Sequence, residues 1–513
     1  TGRPGEEDPE IFIRGRSTWN GSGQPLVLVD GIERSMNDVN INDIEKISVL
    51  KDASATAVFG VKGANGVILI TTKRGKKGKP QLSLSVNSAF KTPSKIPQKL
   101  NAYNGLAVVN DAIEREVSST EESWADYTPR AIMERHRNPA NQFERERYPD
   151  VDWADVVLKD FAMDHNVNLS VRGGSDFAQY FGALSYQRVG DIFDGAAYDN
   201  GRTYQPDFGY DRFNYRSNVD FDITKTTRVS VNLSGFYGIQ RAVGNDDMRL
   251  VYSSLYGMAP TLFYPIHEDG TYGKDPADIW DTTNPRMIMT TKGALQNHRV
   301  QVNSDIMLEQ DLDFLLEWLT FNGRFAYDNN FRGGGGVSEQ NPGGTDNVIF
   351  KRYLDNGEEL FITPPGDNQF DFVTQPWFYE PINMNDGELE RRLFYQFSLN
   401  FDRTFGGKHN TNVLLLMNRE EYARGSMFPR YREDWVARAT YNYDERYFLD
   451  VNGAYNGSER FGPGYRCELF PSAAVGWAIS NEPFMQGADW LDMLKIRGSY
   501  GVVGDDDING RWG

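Results

Sequence analysis

From about residue 81 onward the chain keeps returning to a period of two. Tyr395, Phe397, Leu399 and Phe401 alternate with Gln396, Ser398, Asn400 and Asp402, and Val229, Val231 and Leu233 alternate with Ser230, Asn232 and Ser234. Leu449, Val451 and Tyr455 stand against Asp450, Asn452 and Asn456, as Phe321, Phe325 and Tyr327 stand against Asn322, Arg324 and Asp328. Successive side chains of a strand point to opposite faces, so each segment carries one apolar and one polar face. The pattern predicts about thirteen strands, near 81–90, 164–173, 177–188, 212–223, 228–239, 298–309, 317–328, 392–402, 411–420, 434–443, 447–456, 469–479 and 493–503.

The linkers between these strands alternate in length. Gly173-Gly174-Ser175-Asp176, Thr224-Lys225-Thr226-Thr227 and Tyr443-Asp444-Glu445-Arg446 are tight turns, whereas 92–163, 240–297 and 329–391 are long. A soluble sandwich also alternates, but it closes its apolar faces against a second sheet. Short turns on one side and long loops on the other are what an outer-membrane barrel requires, and runs of about ten to twelve residues with Ser and Asn on one face suit a tilted strand beside a wet lumen. Such strands are compatible with a mean hydropathy of −0.57 and with 26 Tyr, 31 Phe and 50 Gly. No run of about 18 apolar residues offers a helical membrane span. The absence of a secretory signal at Thr1 suits a mature, trimmed or incomplete chain.

The first eighty residues read differently, as a compact α/β unit. Ile11-Phe12-Ile13 is a short apolar stretch, and the strand Leu26–Val29 runs into the tight-turn dipeptide Asp30-Gly31. Asn42 is the expected N-cap of a helical turn before the strand Ile47–Leu50, and Asp52 that of a helix from Ala53 to Val58 that Gly60 ends. The strand Val67–Thr72 closes the unit in a basic cluster, Lys73-Arg74-Gly75-Lys76-Lys77. Gly60, Gly63 and Gly66 invite comparison with a phosphate cradle. They follow a helix and precede a strand, which is the reverse of the order such a cradle needs, and positive φ and close packing account for them.

Other chemistries are disfavoured. The lone Cys467 permits neither a disulfide framework nor a cysteine-based zinc site. A net charge of −18 opposes a nucleic-acid partner. His136, His165, His267, His298 and His409 are dispersed without metalloprotease spacing, and no nucleophile elbow is present, so no enzyme, metal or cofactor is expected.

Phe12-Ile13-Arg14-Gly15, Val27-Leu28-Val29-Asp30-Gly31, the run Asp43 to Ala57 and the run Gly63 to Gly75 resemble, in order and spacing, successive blocks of the plug domain of the SusC/RagA family of TonB-dependent outer-membrane transporters. Leu50 to Ala57 carries the SusC flavour. The resemblance extends through Asp152-Trp153, Leu169 to Ser175, Asn456 to Phe461, Phe470 to Trp477 and Leu494 to Gly501, and departs at Arg466-Cys467-Glu468, where an aromatic is expected after the arginine. It implies a transmembrane antiparallel β-barrel of 22 strands in the full protein, about 13 of them here, with an N-terminal α/β plug in its lumen. The division expected is a plug over 1–80 and a partial barrel over 81–513. An open sheet would leave bare edges in lipid, so truncation is expected.

The function implied is TonB-dependent import of oligomeric nutrients, glycans first, across the bacterial outer membrane. A receptor for peptides, metal chelates or vitamins is the alternative. The implied partners are a SusD-like surface lipoprotein, TonB with ExbB/ExbD, an oligosaccharide or peptide substrate and outer-membrane lipid, in a dimer of transporter–lipoprotein pairs. Arg16, Trp19 and Asn20 are the expected substrate contacts, and Arg14 and Arg74 the expected locks between plug and barrel carboxylates. Gly15, Asp30, Gly31, Asp52, Gly60, Gly63 and Gly66 make up the plug motif. In the long segments Trp124, Tyr272, Trp280, Trp377, Phe378 and Tyr379 stand among Asp, Asn and Gly, a mixture suited to stacking on sugar rings.

Overall fold

The computed structural model describes residues 5, 11–13, 24–51, 62–63, 65–96, 98–115, 122–195, 207–243, 248–274, 284–291, 293–338, 350–354, 356–362, 378–485, 490–502 and 504. Its N-terminal unit is a small sheet of β1 (Leu26–Val29), β2 (Ile32–Glu33), β3 (Ile44–Leu50) and β4 (Val67–Thr72), ordered β2-β1-β4-β3. β1 runs parallel to β4, and β3 antiparallel to it. Val29, Ile68 and Ile70 are buried at its centre, with Ile11, Ile13, Val27, Met36, Val39 and Ile44 packed around them. The Asp30-Gly31 turn joins β1 to β2 with φ of +50° and +85°, the left-handed pair that a tight hairpin needs. The expected cap at Asn42 is displaced. A single 3-10 turn covers Ile41–Asp43, and the Asn40 side chain accepts the Asn42 N–H at 2.9 Å, so β3 begins at Ile44. The expected helix of 53–58 lies outside the described residues.

The large sheet holds every strand that the alternation predicts. In chain order these are β5 (Gly78–Lys91), β6 (Ala162–Gly174), β7 (Ala178–Gly190), β8 (Gly209–Asp222) and β9 (Thr227–Val243). After a two-residue strand β10 (Tyr272–Gly273) follow β11 (Ala294–Asp311), β12 (Leu319–Ser338), the short β13 (Phe350–Tyr353) and β14 (Glu359–Ile362), and β15 (Phe378–Met384). β16 (Glu390–Phe405), β17 (His409–Arg424), β18 (Arg430–Tyr443), β19 (Tyr447–Ser458), β20 (Cys467–Ala478) and β21 (Lys495–Gly501) complete it. The order is β21-β20-β19-β18-β17-β16-β12-β11-β9-β8-β7-β6-β5, antiparallel throughout, with β15 added beside the end of β12. β12 is long enough to pair with β16 up to Asn330 and then with β15 from Gly333 onward.

Which face meets lipid follows from exposure. Leu184, Phe213, Val231, Ile306, Phe325, Phe397, Leu415, Trp435, Leu449 and Val475 alternate outward and are all exposed, while Asn218, Asn232, Asn303, Asp305, Ser398, Asn452 and Ser472 on the other face are buried. A wall that is apolar outside and polar within is the inverse of a soluble protein. Aromatic rings pair outward at both margins. Tyr186–Phe213 and Tyr237–His298 lie toward the long loops, and Phe177–Phe221 and Tyr443–Tyr447 toward the short turns.

The described parts of the long segments are structured. Val157, Phe193, Phe208, Val251, Leu255, Tyr272, Met287, Met289 and Phe350 form one buried core above the wall, capped by the small sheet β10-β13-β14. Tyr272 is part of that core and not a ligand-facing ring. Trp124 is exposed beside Tyr127, the side chains of Phe378 and Tyr379 are not described, and Trp280 and Trp377 lie outside the described residues.

Candidate functional site

The small sheet sits against the inner face of the wall, and the two are joined by ion pairs that run in both senses. From the plug, Arg34 forms a buried pair with Asp305 of β11 and a second with Asp328 of β12 at 2.8 Å. Lys62 bridges Glu33 and Glu420 of β17, the latter at 3.2 Å. Arg74, just after β4, reaches Asp220 of β8 at 2.9 Å and Asn232 of β9 at 3.3 Å. From the wall, Arg216 of β8 approaches Asp43 at 3.2 Å and Asp30 at 3.9 Å, Arg299 of β11 meets Asp38 at 3.2 Å, and Arg392 of β16 lies 3.6 Å from Glu33.

These pairs exist because strand parity aims every second residue of the wall inward, and at these registers that residue is charged. Burial would raise the Glu33 carboxyl, yet Lys62 and Arg392 together outweigh it and hold the group at about 2. Hydrogen bonds outside the ion pairs fill the gaps. Asn218 of β8 donates to Thr72 Oγ1 at 3.1 Å and to the Lys73 carbonyl at 2.8 Å, and Arg212 of β8 donates to the Asn37 carbonyl at 2.7 Å.

Asp30 is where the plug motif and the wall meet. Its carboxylate accepts the Thr72 N–H at 2.9 Å and the Thr72 hydroxyl at 2.6 Å, and its carbonyl accepts Arg324 Nη1 of β12 at 2.7 Å. A Cβ on Gly31 would stand 2.1 Å from that same Arg324 nitrogen, so glycine here serves both the turn and the contact. Gly66, at φ +94°, donates its N–H to the Gly63 carbonyl at 3.0 Å and turns the chain into β4. Of the residues singled out from sequence, Arg14, Gly15, Arg16, Trp19, Asn20, Asp52 and Gly60 lie outside the described residues. Sequence reasoning missed Arg34, Lys62 and their wall partners. The signal was present as charges on the polar face of the strands, without any mark of which plug residue opposes each.

On the long-loop side of the plug the lumen opens into two adjoining cavities, of about 670 and 830 Å³, that share Met36, Asn37 and Arg299. Carboxamides dominate the polar lining of the larger of the two, with Asn37, Asn40, Asn166, Gln187, Asn214, Gln240, Asn297 and Asn385, whereas charged groups outnumber Gln24, Asn37, Gln301, Asn329 and Asn330 in the smaller. Each carboxamide offers donors and acceptors without a net charge. Of the charged groups that reach these cavities, Glu33, Arg34, Asp38, Arg299, Asp328 and Arg392 are paired across the plug–wall seam, whereas Arg332 pairs with Glu388 and Glu390 with Arg424 on the wall side. Among the described residues no cluster of three or more His, Cys, Asp or Glu could hold a metal ion.

Comparison with known proteins places this arrangement. Residues 1–67 match the model of the TonB-dependent receptor plug domain. Over 99% of its length the chain is 25% identical to TonB-dependent receptor P26 of Formosa agariphila, of which it covers 48%. Over 97% of its length it is 26% identical to TonB-dependent receptor SusC of Bacteroides thetaiotaomicron, again covering 48%. In structure it is similar to the RagAB peptide importer in its closed-closed state, with a TM-score of 0.71 at 19% identity over 98% of this chain and 56% of that one. The chain thus spans about half the length of the curated relatives it matches.

Proposed function

Taking as premise that this chain carries the plug and barrel wall of a SusC-type TonB-dependent receptor of the bacterial outer membrane, we propose that the whole protein imports an oligomeric nutrient, a glycan before a peptide. The observation that carries the reading is the carboxamide lining of the larger of the two cavities above the plug. A neutral, polyhydroxylated chain is matched by many uncharged donors and acceptors, whereas a peptide with charged ends calls for uncompensated charges. Six of the charged groups that line the smaller cavity, Glu33, Arg34, Asp38, Arg299, Asp328 and Arg392, are engaged in holding the plug. Passage then requires the plug to leave its seat, work supplied by TonB with ExbB/ExbD from the periplasm, while a SusD-like lipoprotein covers the loops. Arg16, Trp19 and Asn20 remain proposed contacts at the plug surface, and Arg74 a proposed lock with Asp220. The two-part division, 1–80 and 81–513, belongs to the same proposal.

The test is binding of the full-length transporter with its lipoprotein to matched panels of neutral oligosaccharides and oligopeptides. The expected result is glycan retention, weakened about tenfold by Asn297→Ala together with Asn40→Ala, a loss of about 1.4 kcal/mol. Retention of peptides alone would overturn the glycan reading, and tight binding of a ferric chelate alone would overturn both.

A further inference from the structure

Of the turns on the periplasmic side, those at 175–177, 223–226, 406–408 and 444–446 are short, the one between β20 and β21 is long and carries exposed Phe484, Trp490 and Met493, and 312–318, between β11 and β12, reads Leu-Asp-Phe-Leu-Leu-Glu-Trp. Four of its apolar side chains stand in the open: Phe314 is 77% exposed, Leu315 69%, Leu316 51% and Trp318 56%. So concentrated an apolar surface on a tight turn needs an occupant.

Two observations choose it. The strands that the turn joins carry Ile306, Leu308 and Phe325 outward in the exposed apolar band, so the turn continues a surface that already faces lipid. The turn also pairs part of its own backbone. Leu315 and Leu316 N–H groups donate to the Leu312 carbonyl at 2.8 and 3.1 Å, and Leu312 and Leu319 bond within the turn. Trp318, at φ +72°, is held by its N–H on the Asp313 carboxylate at 2.8 Å. A loop that enters lipid must leave few polar backbone groups unpaired, a condition that water-facing turns need not meet. A tryptophan at the end of the turn suits the headgroup boundary.

We propose that 312–318 is a membrane anchor, a preformed apolar turn that dips into the phospholipid leaflet on the periplasmic side of the outer membrane. The proposal rests on the outer-membrane reading and adds a lipid contact beyond the barrel wall. It fixes the height of the wall at the two strands that supply Asp305 and Asp328 to Arg34, so the plug seat is referenced to the bilayer.

The experiment places a nitroxide label at Leu315→Cys in the full-length transporter, in a Cys467→Ser background, reconstituted in phosphatidylethanolamine–phosphatidylglycerol vesicles. Labels at Ile306→Cys and Lys225→Cys serve as lipid and water references. Collision with oxygen, which partitions into lipid, is compared with collision with a water-soluble nickel chelate. The expected result is a several-fold oxygen preference at 315, matching 306 and opposite to 225. A nickel preference at 315 with lipid behaviour retained at 306 overturns the anchor alone. Shielding from both reagents assigns the turn to a protein partner and also overturns it. Nickel access at 306 overturns the membrane reading beneath it.

Discussion

At Gly31 a methyl group would displace the Arg324 guanidinium that binds the Asp30 carbonyl, and the backbone is left-handed. Gly31→Ala is therefore expected to cost about 1–2 kcal/mol from the backbone alone, seen as a looser plug by cysteine accessibility at the β1–β2 turn. Arg34 is the more consequential residue. Arg34→Met takes from Asp305 and Asp328 the one guanidinium bonded to both, and removal of one member of a buried pair costs about 3–5 kcal/mol. The full-length protein should then leak ions in planar bilayers, and Arg34→Met combined with Asp305→Asn and Asp328→Asn should restore much of the seal. An unchanged conductance in the single variant would show that Arg34 does not hold the plug. The sequence marked Asp30-Gly31 because a tight turn is a local property. It did not mark Arg34, because a pair with Asp305 is a property of the assembled wall.

The strands were legible for the same reason. Alternation is written into each segment by itself, so the segments near 81–90 and 469–479 appear as β5 and β20 in the expected order. The loops were not, since the core of Val157, Phe193, Tyr272 and Phe350 gathers residues far apart in the chain. At the joint of that platform the Glu146 carboxylate accepts from His267 at 2.8 Å and from the Tyr353 hydroxyl at 2.9 Å, with Lys351 at 3.3 Å and Asp269 beyond it. Burial lowers the His267 pKa in spite of Glu146, so the ring is neutral in the folded platform at neutral pH. A depressed histidine contributes stability that is present above its ordinary value near 6.5 and is lost as pH falls below it. Burial pushes Glu146 up, but its hydrogen bonds prevail and keep it at about 2, so it stays charged through that window. Hydrogen-exchange protection factors at 262–274 and 350–353, corrected for the intrinsic rate, should fall between pH 7 and pH 5, and His267→Gln should flatten that dependence. Equal protection at both values would remove the histidine from the account.

Across the whole molecule, the small sheet touches β7, β8, β9, β11, β12, β16 and β17, an unbroken arc of neighbours in the large one. Had the N-terminal unit stood apart, or had both faces of the large sheet been packed dry, the barrel reading would have failed. A barrel closed from such a wall resists detergent until heated, so the full-length protein should run faster on a gel unheated than boiled; identical migration would contradict a barrel. The ionic character of the seam has one more consequence. A greasy joint, once parted, exposes surface that water drives together in whatever way it can, and it fouls. A joint of opposed charges parts into two halves that water solvates willingly, so a stopper drawn as the proposed function requires would find the same place on its return.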